Sequence, residues 1–247
     1  MKSVIIIGGT KGIGLEITKY YLSKNYNVSI GARQIPKNFN NIKNLICTKG
    51  DFSKEESHLK LIKSTTKKFK KIDAYINNVG ISDWKPINKV NKKFLDTMLQ
   101  NNFYSAVWGS KIASKVLKKG SSIINISSIA GKRGSKNNSI YSSSKFAING
   151  LTQSLAKELG KKGIRVNSVC PVLIKTPGLI KALKTKYSPA TSNDINSFLN
   201  EFTNNNAALK RLPTALDVAK LCYFLTSDDA SAITGQNINI DCGVFPQ

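Results

Sequence analysis

Hydrophobic and polar positions change period repeatedly along the chain. Short runs rich in valine and isoleucine occupy residues 3–8, 27–32, 44–50, 73–78, 121–128, 164–171 and 238–243. Between them, apolar side chains recur at helical spacing over residues 14–24, 54–69, 92–119, 139–159 and 214–227. Because short apolar runs bounded by turns are typical of strands buried on both faces, the pattern predicts seven strands alternating with helices.

This alternation over the whole length predicts an α/β fold. Buried strands separated by helices form a parallel sheet, and right-handed crossovers put helices on both of its faces. We therefore predict one doubly wound domain, residues 1–247, with a seven-stranded parallel sheet and a ligand crevice at the carboxyl ends of the strands. The long segment outside the alternation, residues 177–212, is polar and rich in asparagine, and we expect it to form a lid over the substrate.

Composition excludes several classes of protein. The 247 residues are 40% hydrophobic and 21% charged, which is typical of a globular protein and not of a disordered one. The first apolar run, residues 4–7, is too short for the core of a signal peptide, and no later run reaches the length of a membrane span. The four cysteines form no CxxC pair, and the only histidine, His58, lies in a lysine-rich stretch. We therefore expect a cytoplasmic protein with no metal site and no membrane segment.

The charge is strongly unbalanced. The chain has 38 basic and 14 acidic residues, a formal net charge of +24, and such a field attracts phosphates, nucleic acid or acidic proteins. The lysines are spread over every segment, however, and the sequence has no zinc-finger spacing, aromatic RNA-binding signature or dense basic tail. We therefore do not expect specific binding of nucleic acid.

A glycine-rich stretch follows the first predicted strand directly. The sequence "GGTKGIG", residues 8–14, opens the first predicted helix. Glycines there allow a tight turn, which brings backbone N–H groups and the helix N-terminus close to a pyrophosphate. Because a strand precedes the stretch and a helix follows it, the stretch predicts binding of a dinucleotide.

The glycine spacing GxxxGxG resembles that of the short-chain dehydrogenase/reductase family, and four further stretches agree with it in chain order. "NNVG" at residues 77–80 resembles the family's NNAG, and a serine after the fifth strand precedes a YxxxK pair. "RVNSVCPVLIKTP" at residues 165–177 resembles its RVNxVxPGxxxTP, and "ITGQNINIDCG" at residues 233–243 its ITGQxxxVDGG. The resemblance covers essentially the whole chain. It implies a Rossmann fold and an oxidoreductase that forms homodimers or homotetramers through its long helices.

The YxxxK pair consists of Tyr141 and Lys145, which are four residues apart and therefore share a face of the helix. A nearby ammonium favours the phenolate, so we expect Lys145 to lower the pKa of Tyr141 from its usual value of about 10. The resemblance implies that Ser128 hydrogen-bonds the substrate carbonyl and that Lys145 binds the ribose of the nicotinamide. It also implies that Asn102, whose surroundings fit the family pattern better than those of Asn101, holds a water in a proton relay.

The charges near the second strand favour NADP(H) as cofactor. Ala32 stands where an acidic residue would bind the ribose 2′-hydroxyl, Arg33 follows it, and Lys11 lies inside the glycine loop. The resemblance implies cofactor contacts from a larger set of residues. These are Gly8, Thr10, Lys11, Gly12, Ile13, Gly14, Arg33, Asp51, Phe52, Asn78, Gly80, Tyr141, Lys145, Pro171, Ile174 and Thr176.

Four positions depart from the family pattern: Ile7, Val79, Val172 and Cys242. Val172 replaces a glycine beside the expected nicotinamide site, and a β-branched residue does not have the backbone freedom of glycine. We therefore expect Val172 to alter the geometry of the bound nicotinamide and reduce activity, and Val79 to crowd the cofactor.

The resemblance implies hydride transfer between NADP(H) and a small-molecule carbonyl or secondary alcohol. Our first expectation for the substrate is a 3-oxoacyl thioester on an acyl carrier protein, because the length and minimal architecture resemble such reductases. Lys119 and Lys162 also match positions that are basic in members that dock the acidic carrier. Reduction of a small ketone, sugar, steroid or quinone stays open, as does a non-catalytic NADP-binding regulator or scaffold.

Overall fold

The computed structural model describes residues 1–39, 42–190 and 194–246. These residues form one seven-stranded parallel sheet in the order β3-β2-β1-β4-β5-β6-β7. The strands are β1 Ser3–Ile7, β2 Asn27–Ala32, β3 Leu45–Lys49, β4 Ala74–Asn77, β5 Ser122–Ile126, β6 Arg165–Pro171 and β7 Asn237–Ile240. The predicted doubly wound parallel sheet is therefore confirmed. Residues 191–193 of the expected lid, and Gln247, lie outside the described residues.

The described residues also form eight α-helices. These are α1 Gly12–Ser23, α2 Glu55–Phe69, α3 Lys92–Leu99, α4 Ser105–Val116, α5 Ser139–Gly160, α6 Pro177–Leu183, α7 Ile195–Asn206 and α8 Ala215–Thr226. Helices α1 and α8 cover one face of the sheet, and α2, α4 and α5 cover the other.

Strand β1 shows why the core divides in this way. Its five residues are all fully buried, and it pairs in parallel with β2 on one side and β4 on the other. Val4 and Ile6 pack with α1 and α8, whereas Ile5 and Ile7 pack with α2 and α4, because successive side chains of a strand point to opposite faces. Strand order reverses between β1 and β4, so a crevice opens at their carboxyl ends.

Three elements differ from the sequence prediction. The helix predicted over residues 92–119 is interrupted between α3 and α4 by a π-helical turn, Gln100–Tyr104. The predicted loop 177–212 contains α6 and α7. The last strand ends at Ile240 and not at residue 243, because Cys242 and Gly243 have φ of 55° and 80° and turn the chain away from the sheet.

No helix in the described part of the chain combines the length and hydrophobicity needed to cross a membrane.

Candidate active site

The crevice is assembled from residues that follow the carboxyl ends of the central strands. Gly8 follows β1, Asn78 follows β4 and Ser128 follows β5, so the parallel sheet brings these positions to one edge. The Asn78 side chain donates from Nδ2 to the carbonyl oxygen of Gly8 at 3.2 Å. The NNVG stretch therefore supports the glycine loop by a direct hydrogen bond.

The glycine loop has a conformation that other residues do not readily adopt. Gly8 and Gly12 have φ of 79° and 54°, and a Cβ added at Gly14 would lie 2.1 Å from the Gly8 carbonyl oxygen. Lys11 precedes α1 without forming a side-chain cap, so the first N–H groups of the helix remain available to an anion. This cradle fits a pyrophosphate, and Thr10 and Ile13 belong to the same loop.

One end of the crevice is basic and lies beside β2 and β3. β2 ends at Ala32, which is buried, and Arg33 is exposed next to it. Asp51 follows β3 and accepts hydrogen bonds from the backbone nitrogen and Oγ of Ser53 at 3.1 and 2.9 Å. Burial raises the pKa of Asp51, but these hydrogen bonds and the cations Lys54 and Arg33 outweigh it and hold the pKa below its usual value.

The other end of the crevice is bordered by the segment after β6. Pro171 ends β6, Ile174 is buried, and Thr176 lies beside the glycine loop, 3.5 Å from the position of a Cβ added at Gly12. The Thr176 hydroxyl caps α6 by accepting from the backbone nitrogen of Leu179 at 3.2 Å. The capped helix fixes Thr176 next to the glycine loop.

The YxxxK pair lies on the face of α5 that packs against the sheet. The Lys145 ammonium is 5.8 Å from the centroid of the Tyr141 ring and donates to the Ile126 carbonyl oxygen at 2.9 Å. Lys145 is only 4% exposed, and burial lowers its pKa to about 8. A Cβ added at Gly80 would lie 3.3 Å from this ammonium, so Gly80 borders the pair.

The prediction that Lys145 lowers the pKa of Tyr141 is wrong for the chain alone. Burial raises the pKa of Tyr141, a hydrogen bond with Ser128 lowers it, and Cys170 raises it again, so the net change is upwards. The ammonium binds the Ile126 carbonyl instead of the phenol. The phenol is therefore protonated at neutral pH and can donate a proton.

Ser128 begins a short 3-10 turn at the end of β5. Its Oγ accepts from the backbone nitrogen of Ala130 at 3.1 Å and donates to the carbonyl oxygen of Pro171 at 3.4 Å. The preceding Ser127 points elsewhere and donates to the Lys145 carbonyl oxygen at 3.2 Å. Adjacent serines thus face different surroundings, as strand alternation requires.

Asn102 lies in the π-helical turn and is 1% exposed. Its Oδ1 accepts from the Ile81 backbone nitrogen at 2.7 Å and is 3.3 Å from the position of a Cβ added at Gly80. Asn101, by contrast, donates to the Thr97 carbonyl oxygen of its own helix at 2.8 Å. Of the two asparagines, Asn102 borders the crevice.

Sequence reasoning missed the contribution of Ser144, one of the three serines inside the YxxxK motif. Its Oγ donates to the Tyr141 carbonyl oxygen at 2.6 Å and accepts from Asn102 Nδ2 at 3.2 Å. It therefore ties the catalytic helix to the π-helical turn. The spacing in the sequence could have indicated this role, because a residue three positions after Tyr141 lies near the same face of the helix.

Three of the four positions that depart from the family pattern differ in their packing and backbone conformation. Val172 is not among the described residues with positive φ, and its side chain packs with Ala207 and Val244. The expected effect on nicotinamide geometry stays a prediction. Val79 packs into the core, with Cγ2 3.2 Å from the position of a Cβ added at Gly8. Cys242 has a φ of 55°, a conformation that favours glycine.

Lys119 and Lys162 lie at the amino ends of the strands, whereas Ser128 lies at their carboxyl ends. They precede the amino ends of β5 and β6, and both are exposed. Eight residues lie between Lys119 and Ser128, and five of them form β5, a length of about 16 Å. Within one chain, these lysines do not border the mouth of the crevice.

Among the described residues, no group of three or more histidine, cysteine, aspartate or glutamate side chains is arranged to hold a metal ion.

Comparison with known proteins identifies the family. A family model described as enoyl-(acyl carrier protein) reductase matches residues 8–245. The sequence is 34% identical over 260 residues to the short-chain dehydrogenase/reductase aba4 of Botryotinia fuckeliana (strain B05.10), with 98% of this chain and 96% of that protein covered. The chain belongs to the short-chain dehydrogenase/reductase family. Members are oxidoreductases that bind a nicotinamide cofactor, so the enzyme class predicted from the motifs is confirmed at this level.

Two further proteins match almost the whole chain. A diacetyl reductase of Staphylococcus aureus (strain Mu50 / ATCC 700699), described as (S)-acetoin forming, is 29% identical over 253 residues and covers 98% of this chain and 97% of its own length. The solved structure of ElxO with NADP bound has a TM-score of 0.84 and 31% identity, with 98% of each chain covered.

Proposed function

We propose that this short-chain dehydrogenase/reductase transfers hydride reversibly between NADP(H) and the carbonyl carbon of a small ketone or the corresponding secondary alcohol. The observation that carries the proposal is the convergence of Asn102, Ser128, Tyr141 and Lys145 at one end of a crevice that begins at the glycine loop. A non-catalytic scaffold has no need for this set of four side chains.

The four side chains have distinct roles in the proposed reaction. The protonated phenol of Tyr141 gives its proton to the carbonyl oxygen, and Ser128 donates a hydrogen bond to the same oxygen, which stabilises its developing negative charge. Lys145 binds the ribose next to the nicotinamide, and Asn102 anchors the relay that returns a proton to Tyr141. The bound cofactor supplies the hydride.

Three positions support NADP(H) over NAD(H). Arg33 is exposed beside the end of β2, Lys11 is exposed in the glycine loop, and Ala32 offers no carboxylate to repel a 2′-phosphate. The related ElxO structure contains NADP.

Two apolar clusters that include the segment after β6 support a small ketone as the substrate. Trp84, after β4, packs in an apolar cluster with Leu183 of α6 and Leu199 of α7, and a second cluster contains Val172. These helices form the proposed lid. The diacetyl reductase relative acts on a small ketone according to its name. A 3-oxoacyl thioester on a carrier protein is less well supported, because Lys119 and Lys162 lie at the far edge of the sheet.

Self-association is part of the proposal. Tyr104, the last residue of the π-helical turn, and Phe146 on α5 are 43% and 48% exposed. Contact with a second copy of the chain would remove these rings from water.

A substitution at Tyr141 tests the proposal. Wild type and Tyr141→Phe are assayed with NADPH and NADH against diacetyl, acetoacetyl thioesters, sugars, steroids and quinones. We expect turnover of a small ketone with NADPH preferred, and a loss of at least about 100-fold in kcat for Tyr141→Phe, because the proton donor is removed.

NADPH binding, followed by nucleotide fluorescence, should be retained in Tyr141→Phe. Near-normal turnover by this variant, or no turnover of any substrate by the wild type, would overturn the proposal. If the enzyme prefers the acetoacetyl thioester, that thioester would replace the small ketone as the proposed substrate.

A further inference from the structure

The only histidine in the chain is completely buried on α2, away from the catalytic side chains. His58 has an exposed fraction of 0%, and burial lowers its pKa to about 4, so the imidazole is neutral at physiological pH. A buried neutral imidazole needs one hydrogen-bond donor and one acceptor as partners, and both are present.

The two partners fix the tautomer. Nε2 lies 2.9 Å from the carbonyl oxygen of Phe52, and this oxygen can only accept, so Nε2 carries the hydrogen. Nδ1 is then the acceptor, and it receives a hydrogen bond from the Tyr75 hydroxyl at 2.7 Å. Tyr75 lies in β4 and is fully buried, so the imidazole is anchored to the centre of the sheet.

His58 thereby holds Phe52 at two points. Besides the hydrogen bond to the Phe52 carbonyl, the two rings meet edge to face with centroids 5.1 Å apart and planes at 88°. The Phe52 ring covers Gly31 of β2 so closely that a Cβ added at Gly31 would lie 2.2 Å from Phe52 Cζ. Fixing Phe52 therefore fixes the ends of both β2 and β3.

These strand ends carry Asp51 and Arg33, two of the residues expected to contact the cofactor. Asp51 immediately precedes Phe52, and Arg33 lies two residues after Gly31. We propose that His58 is a positioning residue for cofactor binding: it sets Asp51 and Arg33 at the adenosine end of the crevice through Phe52. This inference rests on the proposed function, because it requires the bound dinucleotide to lie along the crevice.

Two amide substitutions separate the two hydrogen bonds of His58. The amide nitrogen of glutamine takes the place of Nε2 and can still donate to Phe52, whereas that of asparagine takes the place of Nδ1 and cannot reach Phe52. We therefore expect His58→Asn to raise the dissociation constant for NADPH by about tenfold, the effect of one lost hydrogen bond. His58→Gln should stay within about twofold of the wild type.

Isothermal titration calorimetry with NADPH and with adenosine 2′,5′-bisphosphate measures these constants. The bisphosphate contains only the adenosine half of the cofactor, so His58→Asn should weaken both ligands equally while kcat at saturating NADPH is unchanged. A purely structural role predicts a lower melting temperature for both variants and no difference between them in affinity. Equal affinities for the two variants would overturn the inference.

Tyr75→Phe is a second test in case His58→Asn does not fold. It keeps both rings and the hydrogen bond to Phe52 but removes the donor that anchors the imidazole to β4, so affinity for both ligands should fall with kcat unchanged. Wild-type affinity in Tyr75→Phe, with the His58 variants also unchanged, would overturn the role of His58 and leave the proposed function standing. Failure of the wild type to bind NADPH would overturn both.

Discussion

At the scale of single residues, Cys242 has an unfavourable backbone. Its φ of 55° lies in the left-handed region, where a Cβ costs about 1–2 kcal/mol. Glycine removes this cost, but it also increases the conformational entropy of the unfolded chain, and this offsets about 0.4–1 kcal/mol of the stabilisation. We therefore expect Cys242→Gly to raise the free energy of unfolding by about 0.5–1 kcal/mol in urea titrations.

Cys242→Ser is the matched control, because it removes the thiol but keeps the Cβ and hence the strain. If serine stabilises the protein as much as glycine does, the backbone conformation is not the cause.

The lowered pKa of Lys145 leads to a second prediction at the scale of residues, on the dependence of activity on pH. Its pKa in the folded protein is about 8, below the ordinary value, so the ammonium loses its proton as pH rises through this range. If the charge is needed beside Tyr141 and the ribose, kcat/KM for ketone reduction should be constant below pH 8 and fall above it.

A pH profile between 6 and 10 measures this loss. In Lys145→Arg the guanidinium keeps its charge over the whole range, so the remaining activity should no longer fall near pH 8. A wild-type profile that stays flat to pH 10 would contradict the assignment.

At the scale of elements, the contact of α4 with the sheet supports the site. A Cβ added at Gly109 would lie 2.3 Å from Asn77 Oδ1 and 3.2 Å from His58 Cε1, so only glycine lets α4 approach β4 this closely. The π-helical turn with Asn102 leads directly into α4. A displaced α4 therefore also displaces Asn102.

We expect Gly109→Ala to lower the free energy of unfolding by about 1–3 kcal/mol, the usual cost of overpacking, and to lower kcat. Gly150→Ala on α5 is the matched control, because nothing among the described atoms lies within 4 Å of the added Cβ. That control should gain about 0.5–1 kcal/mol from the better helix propensity of alanine. Equal effects of the two substitutions in urea titrations would contradict the packing explanation.

The interruption of the helix at Gln100–Tyr104 was not predictable from hydrophobic spacing. A π-helical turn inserts one residue without changing the composition of the segment, and it persists because Asn102 bonds Ile81 and Ser144. Periodicity shows only that residues 92–119 favour helix. Contacts with other elements decide where the helix is interrupted.

At the scale of the whole molecule, the net charge of +24 acts on the cofactor through solvent. NADPH carries one phosphate more than NADH, and Arg33 and Lys11 are exposed, so salt should screen their attraction to it. Between 0.05 and 0.5 M salt, the affinity for NADPH should therefore fall more steeply than that for NADH, as measured by fluorescence titration.

Arg33→Ala should bring the salt dependence for NADPH close to that for NADH. Equal salt dependences in the wild type would contradict a specific contact of Arg33 with the additional phosphate.

The order of strands and helices, the glycine loop and the pair Tyr141 and Lys145 could all be predicted from the amino-acid sequence. These properties are local, because strand burial, turn formation and helical spacing each depend on residues close together in the chain. The partners of the buried polar groups could not be predicted and became known only from the folded chain. They are the Ile126 carbonyl for Lys145, and Phe52 and Tyr75 for His58. Those partners come from elements distant in sequence, and burial together with these contacts sets the pKa values of both groups.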